Sequence, residues 1–287
     1  MRTQKNNLIK AFYGLSIAIF LTFAVWWVVN HLRFEPEDGA NALLADSYWV
    51  LPLLGGITGL WASRKWGGLK SVFGRAILLF SLGLLLQVFG QVVYTYYARV
   101  QQIEAPYPSI GDIGFFGSVL IYIAAIYLLA KTAGAHLLRI KNAKHVIALV
   151  LPLALLTTSY LVFLRGYEFD WSNKLVPLLD FGYPLGQAIY VSLALLTYLL
   201  SRKLLGGIMR NKILLLLAAL VVQYAADFTF LYKFSRETYY AGGITDAIYL
   251  VAYFLMAIAL LRMGGVVENL KKGKSIETNT HQDGEAS

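Results

Sequence analysis

The chain has 287 residues, of which 58% are hydrophobic and only 14% charged, with a formal net charge of +9. An ordinary soluble domain carries about 25% charged residues. Together with a mean hydropathy of +0.59, this excludes a disordered chain, a coiled coil and a soluble globular enzyme, and leaves an all-α polytopic membrane protein.

Apolar runs of bilayer length predict eight transmembrane helices. The first covers 10–31. Its run from Asn7 to Leu32 is too long for a signal-peptide core and ends without a small-residue cleavage pattern, so it reads as a retained signal anchor. The second, 43–63, contains Asp46 and Trp49 near its start, then Gly55 and Gly59 at the spacing used for close helix packing. The third, 73–97, carries Gln87 and Gln91 four residues apart on one face. The fourth, 113–131, follows the loop Pro106-Tyr107-Pro108-Ser109-Ile110-Gly111-Asp112, in which Ser109-x-x-Asp112 has the form of a capping box. The fifth covers 145–165. The sixth, 177–201, opens with Asp180, Tyr183 and, deeper, Gln187. The seventh, 211–233, holds Gln223 and Asp227, again four residues apart. The eighth, 246–263, begins with Asp246 and Tyr249. The domain reading is therefore an eight-helix bundle over 1–263, with halves at about 10–131 and 145–263. A polar, disordered cytoplasmic tail is expected over 264–287.

Basic residues set the orientation. On this topology 19 of the 25 Lys and Arg fall on one side and 6 on the other. Most acids fall opposite the bases. Both termini are expected in the cytoplasm, in the inner (plasma) membrane of a prokaryote. The positive charge is thus a topology signal on short loops facing anionic lipid. No nucleic-acid motif accompanies it, so membrane lipids, not nucleic acid, are the expected surface partner.

Aspartates recur at one end of every even-numbered helix: Asp46, Asp112, Asp180 and Asp246, spaced by 66, 68 and 66 residues. Three residues after each comes an aromatic. The repeating unit is a helical hairpin of about 67 residues, used four times. The halves also align: Gln87 falls on Gln223 and Gln91 on Asp227. Because each half has an even number of helices, both lie the same way up in the membrane, unlike the inverted repeats of many transporters.

Two of these segments carry a resemblance. Pro108-Ser109-Ile110-Gly111-Asp112-Ile113-Gly114-Phe115 resembles the Pro-Ser-x-x-Asp-x-x-aromatic loop of the multi-pass membrane sensor regions fused to bacterial diguanylate cyclases and some histidine kinases. Asp180-Phe181-Gly182-Tyr183-Pro184-Leu185 is similar to the segment opening the sixth helix of that family, and Asp227 and Asp246 match its acids on the last two helices. The resemblance covers roughly residues 10–263. It implies a membrane sensor without an attached cyclase or kinase domain, signalling through a cytoplasmic or membrane partner.

Polar groups inside a bilayer are expensive and usually face the bundle interior. Capping is one reading of the four helix-start aspartates, and interhelical hydrogen bonding is one reading of the glutamines. Asp227 stands apart, because a lone carboxylate at that depth must be protonated or find a partner; Arg99 and Arg236 are the candidate basic partners. The functional reading is an outward-facing polar cavity built from Asp112, Asp180, Asp246, Asp227, Gln91 and Gln223. Gln87, Gln187, Tyr183 and Tyr249 are further candidate ligand-binding residues. The cavity would take a small cationic or polyhydroxylated ligand from the outer side. No catalytic residue is assigned. The chain lacks cysteine and has four histidines, which argues against thiolate metal sites, thiol nucleophiles and paired-histidine haem. No lysine lies mid-span for a retinal Schiff base, and HExxH, GxSxG and Walker motifs are absent. No cofactor or metal site is expected. A small-molecule or proton-coupled transporter and a membrane-embedded enzyme acting on lipid are the alternative readings.

Overall fold

The computed structural model describes residues 2–36, 38–132, 143–167, 172–201 and 209–284. The bases Arg139, Lys141, Arg202 and Lys203 and the acids Glu37, Glu168, Asp170 and Glu285, which entered the charge reading, lie outside the described residues. The chain is 85% helical, with no strand among the described residues.

The first helix, α1 (Arg2–Arg33), is followed by a short helix, α2 (Gly39–Ala45), capped by Asp38, whose carboxylate accepts from the Ala40 N–H at 2.7 Å. A turn over 46–49 then separates α2 from α3 (Val50–Lys65). The second expected span is thus two helices. Pro52 supplies the reason. It has no N–H for the Tyr48 carbonyl, and its ring would clash with that carbonyl in an unbroken helix. In the first turn of α3 neither restriction matters. The break frees Asp46 and Tyr48 to point at different neighbours.

Gly67, in the left-handed region at φ 90°, closes α3. Ser71 then caps α4 (Val72–Tyr96), accepting from the Gly74 N–H at 3.2 Å. The end of α4 widens into a π turn, Tyr97–Gln101. The remaining helices are α5 (Gly111–Thr132), α6 (Ala143–Ser159), α7 (Leu175–Ser201), α8 (Arg210–Phe234) and α9 (Ile244–Gly284). A second π turn, Tyr160–Leu164, extends α6.

Six stretches are long and apolar enough to cross a membrane: Lys10–Arg33, Gly39–Lys65, Val72–Gln101, Gly111–Thr132, Arg210–Phe234 and Ile244–Val267. The expected spans at 145–165 and 177–201 are helical but are not among these six. In the first, the side chains are described from Val150, and Val150–Leu164 is apolar. The second carries Pro177, Asp180, Pro184 and Gln187 in its first half. The last helix runs on past Met263 to Gly284, through the segment expected to be disordered. Val266 and Val267 are buried, and the Trp66 indole N–H bonds to the Met263 carbonyl at 2.9 Å. Packing therefore continues beyond the expected boundary.

The helices close into a ring in the order α3, α4, α5, α7, α8, α9, with α9 returning to α3. Outside the ring, α1 lies on α9 and α6 lies on α7. Phe20 of α1 stacks on Phe254 of α9 at 4.1 Å between ring centroids. Small residues allow two of the ring contacts. A Cβ on Gly55 would lie 2.9 Å from Ala257 of α9, and one on Gly186 of α7 would lie 2.6 Å from Val119 of α5. The expected role of Gly55 and Gly59 in close packing matches this. Phe80, Leu84, Tyr122, Ile126, Tyr190, Leu216, Leu220 and Met256 fill the interior, all fully buried.

Candidate functional site

Two polar layers occupy the ring. The first lies at the end where α3, α5, α7 and α9 begin. Here each of the four recurring aspartates has its own donors. Asp112 accepts from the Tyr183 hydroxyl at 2.7 Å and from the Ser109 backbone N–H at 2.7 Å. The Ser109 hydroxyl in turn accepts from the Gly111 N–H at 3.1 Å, so one arm of the expected capping box, Ser109 N–H to Asp112, is formed, while the hydroxyl takes the Gly111 N–H in place of that of Asp112. Asp180 accepts from Tyr107 and from Tyr167, both at 2.6 Å. Asp246 accepts from Tyr48 at 2.8 Å, from the Gly242 N–H at 2.7 Å and from Tyr239 at 3.4 Å. Asp46 pairs with the Arg99 guanidinium, carried on the π turn after α4, and accepts from Thr95 at 3.3 Å.

These carboxylates act as clasps. Capping and interhelical tying coexist in each, because a carboxylate has lone pairs for several donors. Burial, then the hydrogen bond and charge of Asp180, hold the Tyr107 hydroxyl well above its ordinary pKa. Burial and the charge of Asp246 do the same for Tyr239.

The second layer lies deeper. Asp227 sits seven residues from the end of α8, about 10 Å along the axis at 1.5 Å per residue. It is buried. Its Oδ2 accepts from Tyr190 of α7 at 2.7 Å, and its Oδ1 from Tyr249 of α9 at 2.8 Å and from Gln223 Nε2 at 3.1 Å. All of these partners are uncharged. The two expected basic partners are elsewhere: Arg99 is on Asp46, and Arg236 lies over the Tyr232 ring at 3.8 Å. Both sit in or beyond the first layer, too shallow to reach Asp227.

Gln87 of α4 belongs to the same layer. Its Nε2 donates to Ser118 of α5 at 2.6 Å, and its Oε1 accepts from Tyr253 of α9 at 3.0 Å. Gln223 also faces the Tyr253 hydroxyl. Tyr253 stacks between Tyr249, at 5.8 Å, and Tyr48, at 6.1 Å. Polar contacts thus cross from α5 through α4 and α9 to α8 and α7. Two oxygens in this layer have no hydrogen-bond partner among the described residues: Gln223 Oε1 and the Tyr122 hydroxyl, both fully buried.

Of the residues singled out from the sequence, Asp227, Gln223, Gln87 and Tyr249 come together in this deeper layer. Asp112, Asp180, Asp246 and Tyr183 form the clasp layer. Gln91, aligned with Asp227 in the half-repeat, does a different job: its Nε2 donates to the Ala45 carbonyl at 3.1 Å and ties off the end of α2. Gln187 is buried on α7 and makes no hydrogen bond among the described residues. Tyr190, Tyr122, Tyr48, Tyr107 and Ser118 were not anticipated. A signal for Tyr190 existed: Tyr183, Gln187 and Tyr190 recur at i, i+4 and i+7, the spacing of one helical face. Among the described residues no group of three His, Asp or Glu could hold a metal ion. The deeper layer holds one buried carboxylate and several hydroxyls. Comparison with family models, curated proteins and solved structures finds no match.

Proposed function

We propose that this chain is an eight-span integral membrane sensor of a prokaryotic inner membrane, with both termini cytoplasmic. It is built as four helical hairpins in two parallel halves. The helices α6 and α7 supply the fifth and sixth spans. The cyclic order of the ring supports the duplication: α3, α4 and α5 stand in sequence beside α7, α8 and α9, and the halves meet at α5–α7, at α3–α9 and where α1 lies on α9. A ligand from the outer side, small and either cationic or polyhydroxylated, binds at the Asp227 layer. Relative movement of the halves passes the event to a partner on the cytoplasmic side. The resemblance of the Pro108–Phe115 and Asp180–Leu185 segments to membrane sensor regions points the same way.

The observation that carries this reading is the buried carboxylate of Asp227, held by three neutral donors. A buried charge without a charged partner is costly. A neutral amide would avoid that cost and still accept from one of the tyrosines. The carboxylate is therefore kept for what it binds.

The test uses the full chain in sealed vesicles and in detergent. Choline, putrescine and glucose serve as probes. The sensor reading expects a probe-dependent rise in melting temperature that Asp227→Asn abolishes, with no probe flux across the vesicle membrane. Probe-dependent flux in the wild type overturns it in favour of a transporter.

A further inference from the structure

We infer that the Asp227 layer binds a small monovalent inorganic cation, held by the Asp227 carboxylate, Gln223 Oε1 and the Tyr122 hydroxyl. This inference rests on the reading of Asp227 as the ligand site and names the occupant.

The charge argument comes first. Every described group that faces Asp227 is neutral: Tyr190 from α7, Gln223 and Tyr224 from α8, Tyr249 and Tyr253 from α9, and Tyr122 from α5. An ionised Asp227 therefore leaves one uncompensated negative charge inside the ring. One positive charge neutralises it. A divalent ion would leave a surplus positive charge in a low-dielectric interior, and divalent sites usually recruit more than one carboxylate.

The oxygen argument is independent. Buried polar atoms in native proteins are nearly always satisfied. Among the described residues Gln223 Oε1 and the Tyr122 hydroxyl are two of four side-chain oxygens that break that rule. Gln223 Nε2 is bonded to Asp227 itself. The Tyr122 ring meets Tyr190, an Asp227 donor, edge-on at 6.2 Å, and Tyr122 lies within the electrostatic reach of Asp227. Carboxylate, amide and phenol oxygens are the hard donors that alkali and similar cations prefer.

Packing limits the size. A Cβ added to Gly83 would lie only 2.3 Å from the Tyr122 ring. Tyr122 and Tyr190 are fully buried. Packing this close favours a single-atom ion at these oxygens.

The experiment measures melting temperature of the full chain in NaCl, KCl, LiCl or N-methylglucamine chloride at equal ionic strength, from acidic to mildly alkaline pH. The inference expects a saturable rise with at least one inorganic cation over the organic one at alkaline pH. Asp227→Asn should erase that rise. Tyr122→Phe keeps the ring and removes one oxygen, so half-saturation should move on the order of tenfold higher. That variant carries the test if Asp227→Asn does not fold. Identical melting in all four salts overturns the inference. If salts are equivalent but the wild type responds to pH and Asp227→Asn does not, the occupant is a proton; the cation site falls while Asp227 stands as the sensing group. If Asp227→Asn matches the wild type in every salt and at every pH, both readings fall.

Discussion

Tyr183 on α7 donates to Asp112 on α5 at 2.7 Å, and this contact ties the two helices across the ring. Tyr48, just before α3, repeats the arrangement on Asp246 of α9 at 2.8 Å. The pairs stand at α5–α7 and α3–α9, where neighbouring helices of the ring join one set of three to the other. A hydrogen bond to a charged group contributes about 1.5–3 kcal/mol.

Tyr183→Phe and Tyr48→Phe should each lower the stability of the folded chain by about 1–3 kcal/mol without unfolding it. The two contacts share no partner, so the losses should add to within about 0.5 kcal/mol. Melting in detergent of the single and double variants measures this. A double variant no weaker than either single one would show that the clasps are not independent.

Asp227→Asn should remain folded and melt at or above the wild-type temperature. The amide keeps the size and still accepts from Tyr190 or Tyr249, while the desolvation cost of a buried charge disappears. A large fall in melting temperature would instead show that Tyr190, Tyr249 and Gln223 need the full carboxylate to hold the ring.

Gly83→Ala should cost about 1–3 kcal/mol, because the new Cβ meets the Tyr122 ring at 2.3 Å and the packed interior offers little relief. Near-ultraviolet circular dichroism should register the displaced tyrosine. The same change at Gly14, which has nothing within 4 Å, is the control and should be close to neutral.

Alkaline titration should expose the clasp layer. The folded pKa of Tyr107 is raised, first by burial and then by its bond to Asp180. A raised folded value means that the stabilisation is complete below the unfolded value, about pH 10. It is lost as pH climbs above that, because the unfolded chain ionises while the folded one keeps its proton. Stability should therefore fall above about pH 10, and Tyr107→Phe should make that fall shallower. Melting temperature followed from neutral to strongly alkaline pH measures both slopes.

Orientation can be read directly, since the chain has no cysteine of its own. A cysteine at Glu104 should react with an impermeant thiol reagent from outside intact cells. One at Lys70 should react only after lysis. The opposite pattern would invert the topology.

Where the helices lie was legible in the sequence because helix formation in an apolar run is local. Length, i-to-i+4 bonding and caps decide it. The runs at 10–31, 73–97, 113–131 and 211–233 correspond closely to α1, α4, α5 and α8. Pro52 was equally local, but a proline alone does not mark a break, since Pro152 and Pro184 lie inside α6 and α7. Spacing also marked the polar residues worth watching: the helix-start aspartates and the i, i+4 pairs Gln87–Gln91 and Gln223–Asp227.

Only the tertiary structure decided which of those residues meet. Tyr48 and Asp246 are 198 residues apart in the chain, and Gln87 and Tyr253 are 166 apart. Nothing local selects such partners. They follow from the order in which the ring closes and from the small residues that let α3 approach α9 and α7 approach α5. The same closure separated two aligned positions that the sequence made equivalent. Gln91 ended on the backbone of α2, while Asp227 ended among tyrosines in the ring interior. It also carried Arg99 to Asp46, leaving the deepest carboxylate with neutral neighbours alone.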